Sequence, residues 1–218
     1  MMTNRNISIK KALFYVSLGI YIVISIINTT MFAKYFGDVY RYVMIFCFSL
    51  LLIREVMGKL RRKRIKLWFI AATIVGISLL GDSGANTILT IIIFSVAASD
   101  LDFEEIGRFS YKLIFISLLF VILCSWIGII EDYVYVMGGR TRHYLGFLYA
   151  LQPAGLTFEL VTLNLYLNRN KKNNKGKWIL LALCIYIFSM TKSRFTFFLE
   201  IVMFIADYVY RKRESTRK

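Results

Sequence analysis

Residues 111–130, YKLIFISLLFVILCSWIGII, form an almost continuous apolar run in which Lys112 is the one charged residue. A helix of about 17 to 25 apolar residues crosses the ~30 Å hydrocarbon layer of a lipid bilayer. The run therefore predicts a transmembrane helix, and it indicates that the chain is a membrane protein.

Seven further stretches have the same character. The eight predicted spans lie near 12–33, 38–57, 65–81, 84–99, 111–130, 144–167, 177–191 and 194–210. The composition agrees, because 58% of the 218 residues are hydrophobic, more than a soluble domain of this length can bury. We expect one all-α membrane domain over residues 1–218, a polytopic helical bundle of about eight transmembrane helices.

The basic residues predict the orientation of this bundle. With a cytoplasmic N-terminus, 22 of the 28 Lys and Arg residues fall in the terminal segments and in alternate connections on the cytoplasmic side. Cytoplasmic loops normally carry such an excess of positive charge, so both termini are expected in the cytoplasm. The net charge of +15 does not predict nucleic-acid binding, because the basic residues lie in short runs between apolar segments.

Six basic residues fall on the outward side in this topology. Two of them, Lys34 and Arg41, flank the first outward turn. Long cationic side chains at helix ends commonly reach lipid headgroups. The other four lie in two outward connections and are the candidate ligand-binding residues: Arg140, Arg142, Lys192 and Arg194.

The first of these connections is the outward loop 131–143, EDYVYVMGGRTRH, which also holds the only histidine of the chain, His143. Its two glycines permit a tight turn that brings Arg140 and Arg142 against one ligand. Guanidinium groups bind phosphate oxygens in a bidentate manner. An interfacial basic loop that touches anionic lipid has the same composition, so both interpretations stay open from composition alone.

The second connection, Met190 to Arg194, places Lys192 and Arg194 in a short turn with two hydroxyl residues. We expect it to form a second cationic wall facing the first. A diphosphate, which carries about two negative charges, suits two such walls better than a neutral solute does.

Three motifs resemble one family. The segment 142–147, RHYLGF, with Pro153 seven residues after Gly146, resembles the R-x-x-x-G-F…P motif of bacterial O-antigen and capsular polysaccharide polymerases (Wzy-type) and of O-antigen ligases. The turn 191–194, TKSR, resembles their later Ser-Arg turn, and SDLDFEEIGR at 99–108 resembles their loop before the fifth span. The resemblance covers mainly residues 80–200.

The resemblance implies polymerisation or ligation of undecaprenyl-diphosphate-linked oligosaccharide repeat units at the outer face of the bacterial cytoplasmic membrane. Membrane lipids, a flippase and a chain-length regulator are the implied partners, and no cofactor or metal is expected. Arg140 and Arg142 would clamp the leaving diphosphate, and Lys192 with Arg194 would hold the second lipid diphosphate or complete the clamp.

His143 is the candidate general base, because histidine exchanges its proton near neutral pH. Arg142 and His143 are thus the expected catalytic residues. The neighbouring Glu131 and Asp132 are alternative bases, but we expect them to pair with the arginines across the loop.

The chain departs from the family in being shorter, and a shortened, inactive polymerase that acts as an assembly partner is one alternative. A permease or flippase-like transporter is another, since Glu159, Glu200 and Asp207 lie within predicted spans. Pro153 is expected to kink the sixth span and to free the carbonyl of Tyr149, as in transporters and substrate grooves.

Overall fold

The computed structural model describes residues 2–37, 39–56, 85–137, 139–169 and 176–216, and these are mostly helical. In chain order the elements are α1 (Met2–Asn28), α2 (Ala33–Phe36), α3 (Val39–Val56), α4 (Ala85–Ala98), α5 (Phe103–Ile127), β1 (Val134–Met137), β2 (Arg140–His143), α6 (Leu151–Leu167), α7 (Gly176–Thr191) and α8 (Arg194–Thr216). The predicted span 65–81 lies outside the described residues.

The predicted helical character is confirmed, and helices occur at the other seven predicted spans. Among the described residues, two helical stretches are long and apolar enough to cross a membrane, Ile9–Asn28 within α1 and Phe103–Ile127. Helix α7 is apolar but has 16 residues, about 24 Å of helix at 1.5 Å per residue. The count of eight spans therefore stays a prediction.

Helix α5 is apolar on both of its faces. The face that packs against the protein carries the buried side chains of Ile114, Leu118, Val121 and Ile122. The opposite face carries, at helical spacing, the exposed side chains of Ile116, Phe120, Leu123 and Ile127. A helix that is apolar all round needs lipid or another apolar surface on its exposed side, as a membrane span has.

The chain folds into two compact units, Met1–Ile22 with Asp38–Ile106 and Val23–Gly37 with Gly107–Lys218. The single membrane domain expected over 1–218 stays a prediction. Each unit has its own buried side chains and its own network of hydrogen bonds.

In the first unit a buried arginine joins three helices. Arg54, near the end of α3, is 2% exposed. Its guanidinium donates to the carbonyl oxygen of Ala97 in α4 at 2.7 Å, to Asp100 Oδ1 at 2.6 Å and to the carbonyl oxygen of Lys10 in α1 at 3.2 Å. The start of α1 and the ends of α3 and α4 therefore lie together, as the predicted topology requires of its cytoplasmic side.

Three of the four predicted outward connections lie at one end of the second unit, and the fourth, at 81–84, falls outside the described residues. The backbone N–H of Leu148 donates to the carbonyl oxygen of Thr29 at 2.9 Å, which joins the turn after α1 to the segment before α6. The Ser193 hydroxyl donates to the carbonyl oxygen of Ala150 at 3.4 Å, which joins the turn between α7 and α8 to the same segment. These connections share one side of the unit.

The opposite end of the second unit holds the residues predicted to be cytoplasmic. Arg211, near the end of α8, donates from Nη2 to the carbonyl oxygen of Asn168 after α6 at 3.0 Å. Asp207 Oδ2 lies 3.7 Å from Lys177 Nζ at the start of α7. Helices α6, α7 and α8 thus run up and down in the alternation that the charges predict.

Two details of the sixth predicted span differ from expectation. Helix α6 begins at Leu151 rather than near 144, because residues 144–150 form turns that are hydrogen bonded to the segment after α1. Pro153 lies in the first turn of α6, where its missing N–H has no helical partner to lose, so no kink follows. The carbonyl of Tyr149 is not freed either, since it accepts the N–H of Gln152 at 3.1 Å.

Candidate functional site

The predicted outward loop 131–143 is an antiparallel β-hairpin rather than an irregular loop. Strand β1 pairs with β2 so that Tyr135 lies opposite Arg142 and Met137 opposite Arg140. Gly139, in the connection between the strands, has φ +73°, a conformation that glycine adopts without strain. The hairpin thus sets a fixed spacing between the two arginines.

Arg140 and Arg142 project from the same face of this hairpin, because side chains two residues apart on a strand point to the same side. Arg140 is exposed and Arg142 is partly buried. Within the part of the chain that the structure describes, neither guanidinium forms an ion pair. Both forks of N–H donors are therefore available to an anion on that face.

Asp132 has a different partner from the one expected. Its Oδ2 lies 2.7 Å from His143 Nδ1, and its Oδ1 accepts the backbone N–H of Leu145 at 2.7 Å. The expected pairing of Asp132 with the arginines is thus replaced by a carboxylate–imidazole pair. A neutral imidazole that donates from Nδ1 to a carboxylate keeps Nε2 as an acceptor, the arrangement that a general base requires.

Arg142 and His143 lie on opposite faces of β2, since consecutive strand residues alternate. One phosphate group therefore does not contact both side chains. The hairpin therefore places the two predicted catalytic residues on opposite faces.

Two non-glycine residues with positive φ occur among the described residues, Leu145 and Lys192, both at +54°. Each falls in one of the two motifs singled out in the sequence, RHYLGF and TKSR. A left-handed conformation costs such residues about 1–2 kcal/mol. Strain of this kind is found where surrounding structure holds a functional turn in place.

The second cationic turn is anchored on both sides. Lys192 donates its N–H to the carbonyl oxygen of Phe188 at 2.9 Å, and Ser193, which is buried, bonds to Ala150. The side chains of Lys192 and Arg194 are exposed, and neither forms an ion pair with any residue the structure describes. Strand β2 packs against α7, the helix that ends in this turn. That the two cationic turns face one another stays a prediction.

The sequence did not predict the hairpin or the pairing of Asp132 with His143, although a signal for both was present. The segment YVYVMGGRTRH has two glycines between two short runs, the first of which is rich in β-branched and aromatic residues, and this pattern is typical of a β-hairpin. Folding the segment at the glycines brings Asp132 near His143. No protein-family model, curated protein or solved structure matches the chain.

Proposed function

We propose that the chain is an eight-span protein of the bacterial cytoplasmic membrane that polymerises or ligates undecaprenyl-diphosphate-linked oligosaccharide repeat units at the outer face. The observation that carries the proposal is the pair of arginines, Arg140 and Arg142, on one face of the β-hairpin without an anionic partner in the described chain. Two guanidinium groups at this spacing suit the oxygens of a diphosphate.

In this reaction the acceptor hydroxyl oxygen attacks the anomeric carbon of the donor sugar, and the bond from that carbon to the diphosphate oxygen breaks. The bonding electron pair leaves with the diphosphate, so negative charge grows on the side that Arg140 and Arg142 occupy. Preorganised cationic donors stabilise such a leaving group in the transition state. Lys192 and Arg194 supply further positive charge for the second lipid diphosphate.

The hydroxyl proton goes to His143 Nε2, which Asp132 leaves free by binding Nδ1. Because His143 projects from the other face of β2, it serves the acceptor sugar rather than the phosphate. Asp132 is a positioning residue in this scheme, since it acts on the reaction through His143.

The predicted topology supports an outward site. Three of the four connections that the charges place outside lie at one end of the second unit, where residues 148–150 are hydrogen bonded to the turn after α1 and to the turn between α7 and α8. The lipid carrier, its flippase and a chain-length regulator are the partners that the proposal implies.

Deleting the gene is the direct test of this function. Single repeat units should accumulate on the lipid carrier, and long-chain polysaccharide should disappear and return on complementation. If long chains persist in the deletion strain and a solute uptake rate falls instead, the chain is a permease and the polysaccharide proposal is wrong.

Replacing His143 with Asn tests the proton acceptor. The Asn side-chain amide keeps an N–H donor for Asp132 but has no basic nitrogen, so the hairpin is retained while the base is lost. We expect the polymerisation rate to fall about 100-fold, measured in membrane vesicles with lipid-linked repeat units and normalised to the amount of protein. A variant as fast as wild type would leave His143 a purely structural role.

A further inference from the structure

A buried carboxyl group lies in the core formed by α6, α7 and α8. Glu200, on α8, is 2% exposed, and its polar neighbours are the Thr157 hydroxyl of α6 and the Cys184 thiol of α7. Both neighbours are 1% exposed. Glu200 Oε1 is buried and has no hydrogen-bond partner among the residues the structure describes.

This environment does not suit an ionised carboxylate. In the described part of α6, α7 and α8 no cation pairs with Glu200; the other charged residues of these helices are Glu159, Lys177, Arg194, Asp207, Arg211, Lys212, Arg213 and Glu214. Asp207 forms ion pairs with both Lys177 and Arg211 at the far end of these helices. A charge placed in an apolar core without a partner is far more costly than a neutral carboxylic acid.

The Thr157 hydroxyl fits a neutral acid. Thr157 Oγ1 is within hydrogen-bonding distance of the backbone carbonyl oxygens of Ala154 at 2.8 Å and Pro153 at 3.1 Å, so its single hydrogen is engaged by its own helix. Its oxygen lone pairs remain free to accept a hydrogen bond. A protonated Glu200 has one O–H to donate to that oxygen, whereas an ionised one has none.

The three residues also lie at matching depths in the core. Glu200 is six residues, about 9 Å, from the start of α8, and Thr157 is six residues from the start of α6. Cys184 lies seven residues before the end of α7, which adjoins the same turn. The carboxyl group is thus about one and a half helical turns beneath the turn that carries Lys192 and Arg194.

We propose that Glu200 is a proton-binding site within the α6–α8 core, with Thr157 as its hydrogen-bond acceptor. The bound proton keeps the core uncharged and lets the three helices pack. Loss of the proton requires water or a cation to enter beneath the cationic turn, so proton occupancy is linked to the packing of the helix that bears Arg194. This site involves neither sugar nor lipid diphosphate and is independent of the proposed function.

Infrared spectroscopy of the purified full chain in lipid nanodiscs tests the site. The wild-type spectrum at neutral pH should contain a carbonyl band of a protonated carboxylic acid that is lost in Glu200→Gln. The matched control is Glu105→Gln, which removes an exposed carboxylate paired with Lys11 and should remove carboxylate absorption instead. If Glu200→Gln instead removes carboxylate absorption, as the control does, and leaves any acid band unchanged, Glu200 is ionised and the proposal is wrong.

Thr157→Val provides a second measurement that leaves Glu200 in place. Valine keeps nearly the same shape but offers no acceptor, so the acid band should remain and move to the higher frequency of a less strongly hydrogen-bonded group. If the acid band is absent from both this variant and the wild type, the proposal that Glu200 binds a proton is wrong. An acid band that does not move overturns the part assigned to Thr157, even if Glu200→Gln fails to fold.

Discussion

Replacing Arg142 with alanine is expected to abolish long-chain polysaccharide while the protein stays in the membrane at its normal level. Arg142 shares a hairpin face with Arg140 and has no ion pair in the described chain, so its removal leaves no internal charge unpaired. The loss should therefore fall on the reaction, where removal of a cationic donor from a leaving phosphate lowers the rate about 10³-fold or more.

The measurement is complementation of the deletion strain, with polysaccharide length read on a gel and protein level read on a blot. Arg142→Lys should be intermediate, because lysine keeps the charge but loses the planar bidentate fork. Arg213→Ala is the control, since it removes an exposed arginine near the opposite end of the unit. If the strain complemented with Arg142→Ala makes polysaccharide of wild-type length, Arg142 takes no part in the reaction.

Replacing Gly146 with alanine is expected to cause the largest loss of stability. Gly146 has φ +80°, and a Cβ atom there would lie 2.5 Å from Ile130 Cδ1 and 3.1 Å from Ser125 Cβ. Ile130 is itself buried, so it has little room to move. Strain and overpacking together should lower the free energy of unfolding by about 2–5 kcal/mol.

Gly128 supplies a matched control for this experiment. Its φ is +81°, almost the same as that of Gly146, but a Cβ atom there would meet nothing within 4 Å. Gly128→Ala should therefore cost about 1–2 kcal/mol, the backbone strain alone. The comparison is made from denaturant unfolding of both variants in the same micelles. Equal losses would mean that the close approach of Gly146 to Ile130 does not occur in the protein.

The helices were predictable because each depends on one local property, a run of apolar residues of sufficient length. Helix α5 is the clearest case, since it is apolar on its exposed face as well as on its buried face. The start of α6 was not predictable by this criterion. Residues 144–150 are as apolar as the helix that follows, and hydrogen bonds to the turn after α1 hold them in turns instead.

The candidate site was predictable in residue type but not in geometry. The sequence placed Arg140, Arg142 and His143 in one connection, yet it is the strand conformation that puts Arg142 and His143 on opposite faces and the folding of the hairpin that brings Asp132 to the imidazole. The environment of Glu200 was likewise predictable only in part. Its position in an apolar segment marked it as unusual, but the neighbours that favour its neutral form come from two other helices.

The bridge between Thr30 and Phe147 joins a turn made early in synthesis to one made after several further helices have emerged. Residues 146–148 cannot reach their final conformation until they meet the turn after α1. This end of the second unit is therefore completed late in synthesis, after the helices that lie between the two turns in the sequence have been made.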